Sequence, residues 1–224
     1  MPHLKLFHYP LACSFVTLVA LEETGLDYND QAIDILNGEQ NSPEYLKINP
    51  HGKVPALMVG EETVLVENAA ILIYLNNIAN DKLLPGTVDS LVRAQALSDL
   101  VWCSATLHPA VRQITMPIRF TSQDPQGIKQ NGLSKSEAFF SFINDRLAKN
   151  QWWCGENWSI IDTYINWCVM LANIDENVSL TAFPNILHHH EKQISRTAYQ
   201  RAQARAHAAK EKAGIIYPFE QVNK

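Results

Sequence analysis

Apolar and polar positions follow two different regimes along this chain. Up to about residue 80, short apolar runs between turn residues alternate with helical patterns. Leu4 to Phe7 reads as a strand, and His8-Tyr9-Pro10-Leu11-Ala12 as a loop broken by Pro10. Cys13 or Ser14 opens a helix through Thr24, stopped by Gly25, with Phe15, Leu18, Val19 and Leu21 as its apolar face. Tyr28 to Leu36 reads as a second strand, and Asn37-Gly38 turns the chain. Ser42 caps a short helix with Pro43 at its first position, ending near Ile48. Pro55 to Val59, the Gly60-Glu61-Glu62 turn and Thr63 to Val66 form a hairpin. A helix then starts at Glu67, with Ile71, Leu72, Leu75 and Ile78 on one face. The order β-α-β-α-β-β-α predicts an α/β domain over residues 1–80.

Residues 81–88, with Asp81, Pro85 and Gly86, read as a linker, and strand patterns disappear after it. Ser90 to Arg119 is a long helical stretch, kinked or ended near Pro109 and Pro117. Thr121 to Gly132 is polar, with Pro125 and Gly127, and reads as a loop. Ser134 to Asn150 is amphipathic, with Phe139, Phe140, Ile143 and Leu147 on one face. Ser159 to Asn173 is apolar all round, which predicts a central buried helix. It opens on Ser159-Ile160-Ile161-Asp162, a capping box. Pro184 to Ser195 and Ala198 to Ala213 are two further helices, the last ending at Gly214. Residues 89–224 are therefore expected to form an all-α domain.

Composition narrows the function classes. The 224 residues suffice for a sizeable core, and 46% apolar with 18% charged content is that of a soluble globular protein. A net charge of −5 argues against nucleic acid as partner, since phosphate backbones call for a basic face. No apolar run reaches the roughly 20 residues that span a bilayer, and no signal-peptide pattern is present. Cys13, Cys103, Cys154 and Cys168 have no paired spacing and read as free thiols in a reducing, cytoplasmic compartment. His188-His189-His190 fan out over different helix faces and read as a solvated or partly buried run, so no metal site is expected. Trp152, Trp153, Trp158 and Trp167 surround the capping box and read as core.

The candidate chemistry centres on Asn49-Pro50-His51-Gly52-Lys53-Val54-Pro55. A cis Val54–Pro55 bond would leave the Val54 N–H and C=O to pair with an extended peptide, as an added strand does. Glu67-Asn68 at a helix start offers free N–H groups to a carboxylate. Cys13 and Ser14 sit at the N-terminus of the first helix, a place that favours a thiolate, and Tyr9 is close. Position 16 is valine, so no second cysteine completes a dithiol motif.

The turn, Val-Pro, hairpin and Glu-Asn helix start resemble the glutathione-binding half of the glutathione transferases. The Ser-x-x-Asp box after Gly155 and the all-helical second half extend the resemblance over nearly the whole chain. It implies a thioredoxin-like N-terminal domain followed by an all-α domain, with glutathione as co-substrate. Val54-Pro55 would pair with the cysteinyl backbone of glutathione, Glu67 with its γ-glutamyl end, and His51 and Lys53 with its glycyl carboxylate. Asn68 stands where the family has Ser, whose contact with the γ-glutamyl carboxylate its amide can still make as a donor. Leu6-Phe7, Pro10 and Ala12-Cys13-Ser14 resemble the bacterial beta class, although His8 stands where that class has Tyr. Cys13 is then the first catalytic candidate, with Ser14 and Tyr9 as alternative thiolate stabilisers. The beta class carries a His where His108 lies, facing the site from the second domain. Arg112 shares its helix face, and Leu11 with the Trp102 to Pro117 helix would supply an apolar wall. The implied activity is conjugation of the glutathione thiol to small apolar electrophiles, a detoxification chemistry, in a homodimer. Two rivals stand beside it: a monothiol glutathione-dependent reductase using Cys13, and a non-catalytic binding module on the same fold.

Overall fold

The computed structural model describes residues 2–10, 12–86, 88–174 and 177–215. They fall into two units, one made of the chain up to Ala79 with the segment from Thr197 onward, the other of Asn80–Arg196.

The first unit is built on strands β1 (Leu4–His8), β2 (Tyr28–Ala32), β3 (Ala56–Val59) and β4 (Thr63–Val66), in the sheet order β2-β1-β3-β4. β1 runs parallel to β2, with Leu4 opposite Tyr28 and His8 opposite Ala32. β3 is antiparallel to both β1 and β4. Four of the five β1 residues are buried, Lys5 being half-buried, as befits a central strand covered on both faces. Helices α1 (Ser14–Thr24), α2 (Pro43–Ile48) and α3 (Asn68–Ile78) complete the expected order. Gly25 ends α1 at φ +69, a conformation that suits glycine, and Ser42 caps α2 by accepting the Tyr45 N–H at 3.1 Å.

β1 runs one residue further, to His8, β3 begins at Ala56 instead of Pro55, and two further boundaries differ from the sequence reading. β2 stops at Ala32 instead of Leu36. β1 ends at His8, so residues beyond 33 have no ladder partner; the Asp34 carboxylate then takes the N–H groups of Leu36 and Asn37 and turns the chain. α3 begins at Asn68, because Glu67 sits at φ +67 as its cap residue.

Helix α9 (Thr197–Ala213), last in chain order, belongs to this unit. Tyr199 packs edge-on against Phe15 at 5.2 Å, Arg201 bonds Glu22 at 2.8 Å, and Arg205 bonds Asp30 at 2.7 Å.

The second unit holds α4 (Ser90–Trp102), α5 (His108–Thr115), α6 (Pro125–Leu147), α7 (Ile160–Asn173) and α8 (Pro184–Ile194). The expected break near Pro109 takes a definite form: a π turn over Cys103–Leu107 joins α4 to α5, with the His108 N–H reaching the Cys103 carbonyl. Proline lacks the N–H that would continue the ladder and crowds the preceding turn. The loop expected over Thr121–Gly132 is largely helix. Asp124 caps α6 by accepting the Gly127 N–H at 2.8 Å, with Pro125 at the first position, so the polar segment is a start signal, not a loop.

α7 is the buried centre, as its uniform apolarity predicts. Its capping box forms: Asp162 Oδ2 accepts the Ser159 N–H and hydroxyl, each at 2.9 Å. Trp152, Trp153 and Trp167 are buried and Trp158 half-buried. The three histidines part company: His188 is exposed, His190 is half-buried against Asn166, and His189 is interior on Asp162. No group able to hold a metal ion occurs among the described residues. No helix among them is long and apolar enough to cross a membrane, and all four cysteines are free.

Candidate active site

The loop from Tyr9 into α1 is shaped by one hydroxyl. Ser14 Oγ accepts the Tyr9 N–H and donates to the Tyr9 carbonyl, each at 3.0 Å, and is fully buried. A hydroxyl has a single O–H to give, and here that O–H goes to Tyr9. The Tyr9 ring is buried beside Ala32 and Ile215. Cys13 precedes the first helical residue, and its carbonyl receives the Val16 N–H at 3.0 Å.

The second wall is the turn before β3. Buried Asn49 holds it: its Oδ1 accepts the His51 N–H at 3.0 Å and its Nδ2 donates to the Lys53 carbonyl at 2.7 Å. Tyr45 donates its hydroxyl to the same carbonyl at 2.7 Å. Gly52 lies at φ +58, and a Cβ there would stand 3.1 Å from Asn41 Oδ1 and 3.2 Å from the Gln40 carbonyl. The Val54–Pro55 peptide is cis. The ladder pairs of β3 start at Ala56, so Val54 stands just outside the sheet. Its carbonyl lies 3.7 Å from Cys13 Sγ. Thus the thiol and the unladdered Val54 peptide meet, although 41 positions separate them. His51 and Lys53 flank this point and are exposed.

The third wall is the start of α3. Glu67 is exposed and lies at φ +67, a region that costs a non-glycine residue on the order of 1–3 kcal/mol. Asn68 turns the other way. It is buried, its Nδ2 donates to the Cys13 carbonyl at 2.8 Å, and its Oδ1 accepts the Thr17 hydroxyl at 2.5 Å. Sequence reasoning missed Asn49, Tyr45 and Thr17. Only Asn49 carried a local signal, as an Asn opening a Pro-Gly turn.

His108 and Arg112 lie on α5 in the second unit. Trp167 meets the His108 ring edge-on at 4.7 Å, and the Tyr164 hydroxyl lies 3.4 Å from Nδ1. Burial, helped by the Arg112 charge, pushes His108 down from 6.5 to about 4, so its imidazole is neutral at physiological pH. Leu11, expected in the apolar wall, lies outside the described residues.

Residues 2–77 match the family model of the glutathione S-transferase N-terminal domain. A zeta-class glutathione S-transferase of Euphorbia esula is 30% identical over 206 residues, spanning 90% of each chain. The disulfide-bond oxidoreductase YfcG of Escherichia coli K12 is 31% identical over 202 residues, covering 86% of this chain and 91% of that protein. Among solved structures, a glutathione transferase homologue from Sulfitobacter with bound glutathione superposes with a TM-score of 0.80 at 27% identity, over 96% of this chain and all of the other.

Proposed function

Because the chain belongs to the glutathione S-transferase family, we propose that it is a beta-like transferase that joins the glutathione thiol to small apolar electrophiles. The observation that carries this is the 3.7 Å approach of the Cys13 thiol to the Val54 carbonyl at the open end of β3. An extended peptide pairing with Val54 as an added strand brings its own cysteine to the N-terminus of α1. There the helix end favours a thiolate. Exposed Lys53 and His51 supply donors for one carboxylate of glutathione, and Glu67 with the first N–H groups of α3 meets the γ-glutamyl end. Cys13 is the catalytic group on this reading. Ser14 shapes its loop, and Tyr9 lines it. His108 and Arg112 serve the electrophile, His108 as a neutral hydrogen-bonding group. The reading keeps residues 1–80 as the glutathione domain and 89–224 as the helical stretch, whose α9 returns to the first unit, in a cytoplasmic, detoxifying homodimer, whose mass in solution is directly measurable.

A second reading is favoured by the similarity to a disulfide-bond oxidoreductase. Here Cys13 forms a mixed disulfide with glutathione as a disulfide substrate is reduced; a second glutathione thiolate then frees Cys13 and leaves as oxidised glutathione.

Retention on immobilised glutathione, with elution by free glutathione, tests both readings in wild type and Cys13→Ala. Retention of both proteins, with conjugating activity lost in the variant, supports transfer with Cys13 as the catalytic group; activity surviving in the variant removes Cys13 from that role and leaves the helix end as thiolate stabiliser. Retention of wild type alone makes Cys13 central and favours the reductase. Retention of neither overturns glutathione binding and leaves a binding module on this fold.

A further inference from the structure

We propose that Asn68 is a positioning residue for Cys13: its amide, held by Thr17, fixes the Cys13 carbonyl and so aims the thiol at Val54. The inference rests on the reading of Cys13 as the working thiol. It assigns to the Asn68 side chain a role other than the ligand contact that the resemblance implies for this position.

The chemistry of the partners settles which way the amide points. The Cys13 carbonyl only accepts hydrogen bonds, so the group facing it at 2.8 Å must be the Asn68 NH2. The Asn68 oxygen then faces Thr17 and takes its hydroxyl proton at 2.5 Å. Both ends of the amide are therefore engaged inside the unit, and the residue is 5% exposed. The same Cys13 carbonyl accepts the Val16 N–H that starts α1. One side chain thus ties the first turn of α1 to the first residue of α3. Cys13 and Glu67 sit at the two helix ends joined in this way. A serine at position 68 carries its hydroxyl on Cβ and is too short to reach both partners. An aspartate there would set a carboxylate oxygen against the Cys13 carbonyl. Asparagine satisfies both contacts, which accounts for the departure from the family's Ser.

The test follows Cys13 alkylation by iodoacetamide against pH, scored on the Cys13 peptide by mass spectrometry, in wild type, Asn68→Ala, Asn68→Ser and Thr17→Val. Glutathione affinity is measured in parallel by calorimetry. For Asn68→Ala the expected result is about fivefold faster alkylation at neutral pH, on the scale of one hydrogen bond, because a thiol no longer aimed at the Val54 carbonyl loses the acceptor that favours its protonated form. Its pH midpoint moves downward, while a glutathione affinity that falls with the alkylation profile unmoved shows a ligand contact instead and overturns the proposal. Asn68→Ser behaves alike, and Thr17→Val shifts the profile in the same direction by less. An unchanged or upward-shifted alkylation profile in Asn68→Ala overturns the proposal. If that variant fails to fold, Thr17→Val decides by the same criterion. Alkylation needs no glutathione, so a protein that does not bind glutathione overturns the proposed function and leaves this test intact.

Discussion

Asp162 and His189 form an interior pair, with Nε2 3.0 Å from Oδ1, although 27 positions separate them. The same carboxylate accepts the Trp153 N–H at 2.7 Å and both donors of Ser159. The capping box is therefore also the joint between α7, α8 and the Trp152–Gly155 turn. Asp162→Ala strands four donors in the interior and is expected to destabilise by about 3–5 kcal/mol. Ser159→Ala, which removes only the hydroxyl of the cap, is expected to cost about 1 kcal/mol. Urea unfolding of both variants checks the ranking; equal losses would show that the cap alone matters.

His108 gives a pH prediction with a definite sign. Its folded value of about 4 lies below its ordinary 6.5, because burial, and then Arg112, disfavour the charged ring. The neutral ring contributes stability that is present above pH 6.5 and lost as pH falls toward 4. Proton NMR of the imidazole should show a midpoint near 4, and Arg112→Leu should raise it. A midpoint near 6.5 would place the ring in water.

Asp30 acts at lower pH. Burial pushes its carboxyl up, but hydrogen bonds from His8 and Arg205 outweigh burial and hold it below the ordinary 3.8. A depressed carboxylate contributes stability above the ordinary value and loses it as pH falls through the folded one. Arg205→Met should therefore flatten the acid limb of a stability profile below about pH 4, read by thermal melts. It should also loosen α9, whose Arg205 bonds Asp30 at 2.7 Å.

Gly132 sits inside α6, where alanine would ordinarily gain about 1 kcal/mol. A Cβ there would lie 2.8 Å from Gln113 Cβ and 3.0 Å from both the Ala110 carbonyl oxygen and the Ile114 nitrogen. Two of these atoms are backbone of α5 and cannot swing aside, so overpacking of about 1–3 kcal/mol wins. Gly132→Ala is expected to lower the denaturation midpoint.

Much of the site is legible in the sequence. The turn at Asn49–Lys53, the Val-Pro strand start and the cysteine at a helix N-terminus are local patterns, and each lies where its pattern places it. What stayed illegible was the direction of the side chains. Ser14 reads equally well as a thiolate donor until its hydroxyl is seen closed on Tyr9. Asn68 reads as a ligand contact until its amide is seen facing Cys13. Thr17 carries no local signal, because its partner lies 51 positions away.

The sequence by itself determined the order of elements in the first unit, the caps of α2 and α7, the stop of α1 at Gly25, and the stretches that carry chemistry, because periodicity, proline, glycine and capping residues act within a turn or two of chain. Only the tertiary structure decided that α9 joins the first unit, that His189 closes on Asp162, and that Cys13, Val54 and Asn68 meet at one point. Those pairings depend on how sheet register and helix packing bring distant backbone together, and no local pattern encodes a distance between residues 27 or more positions apart.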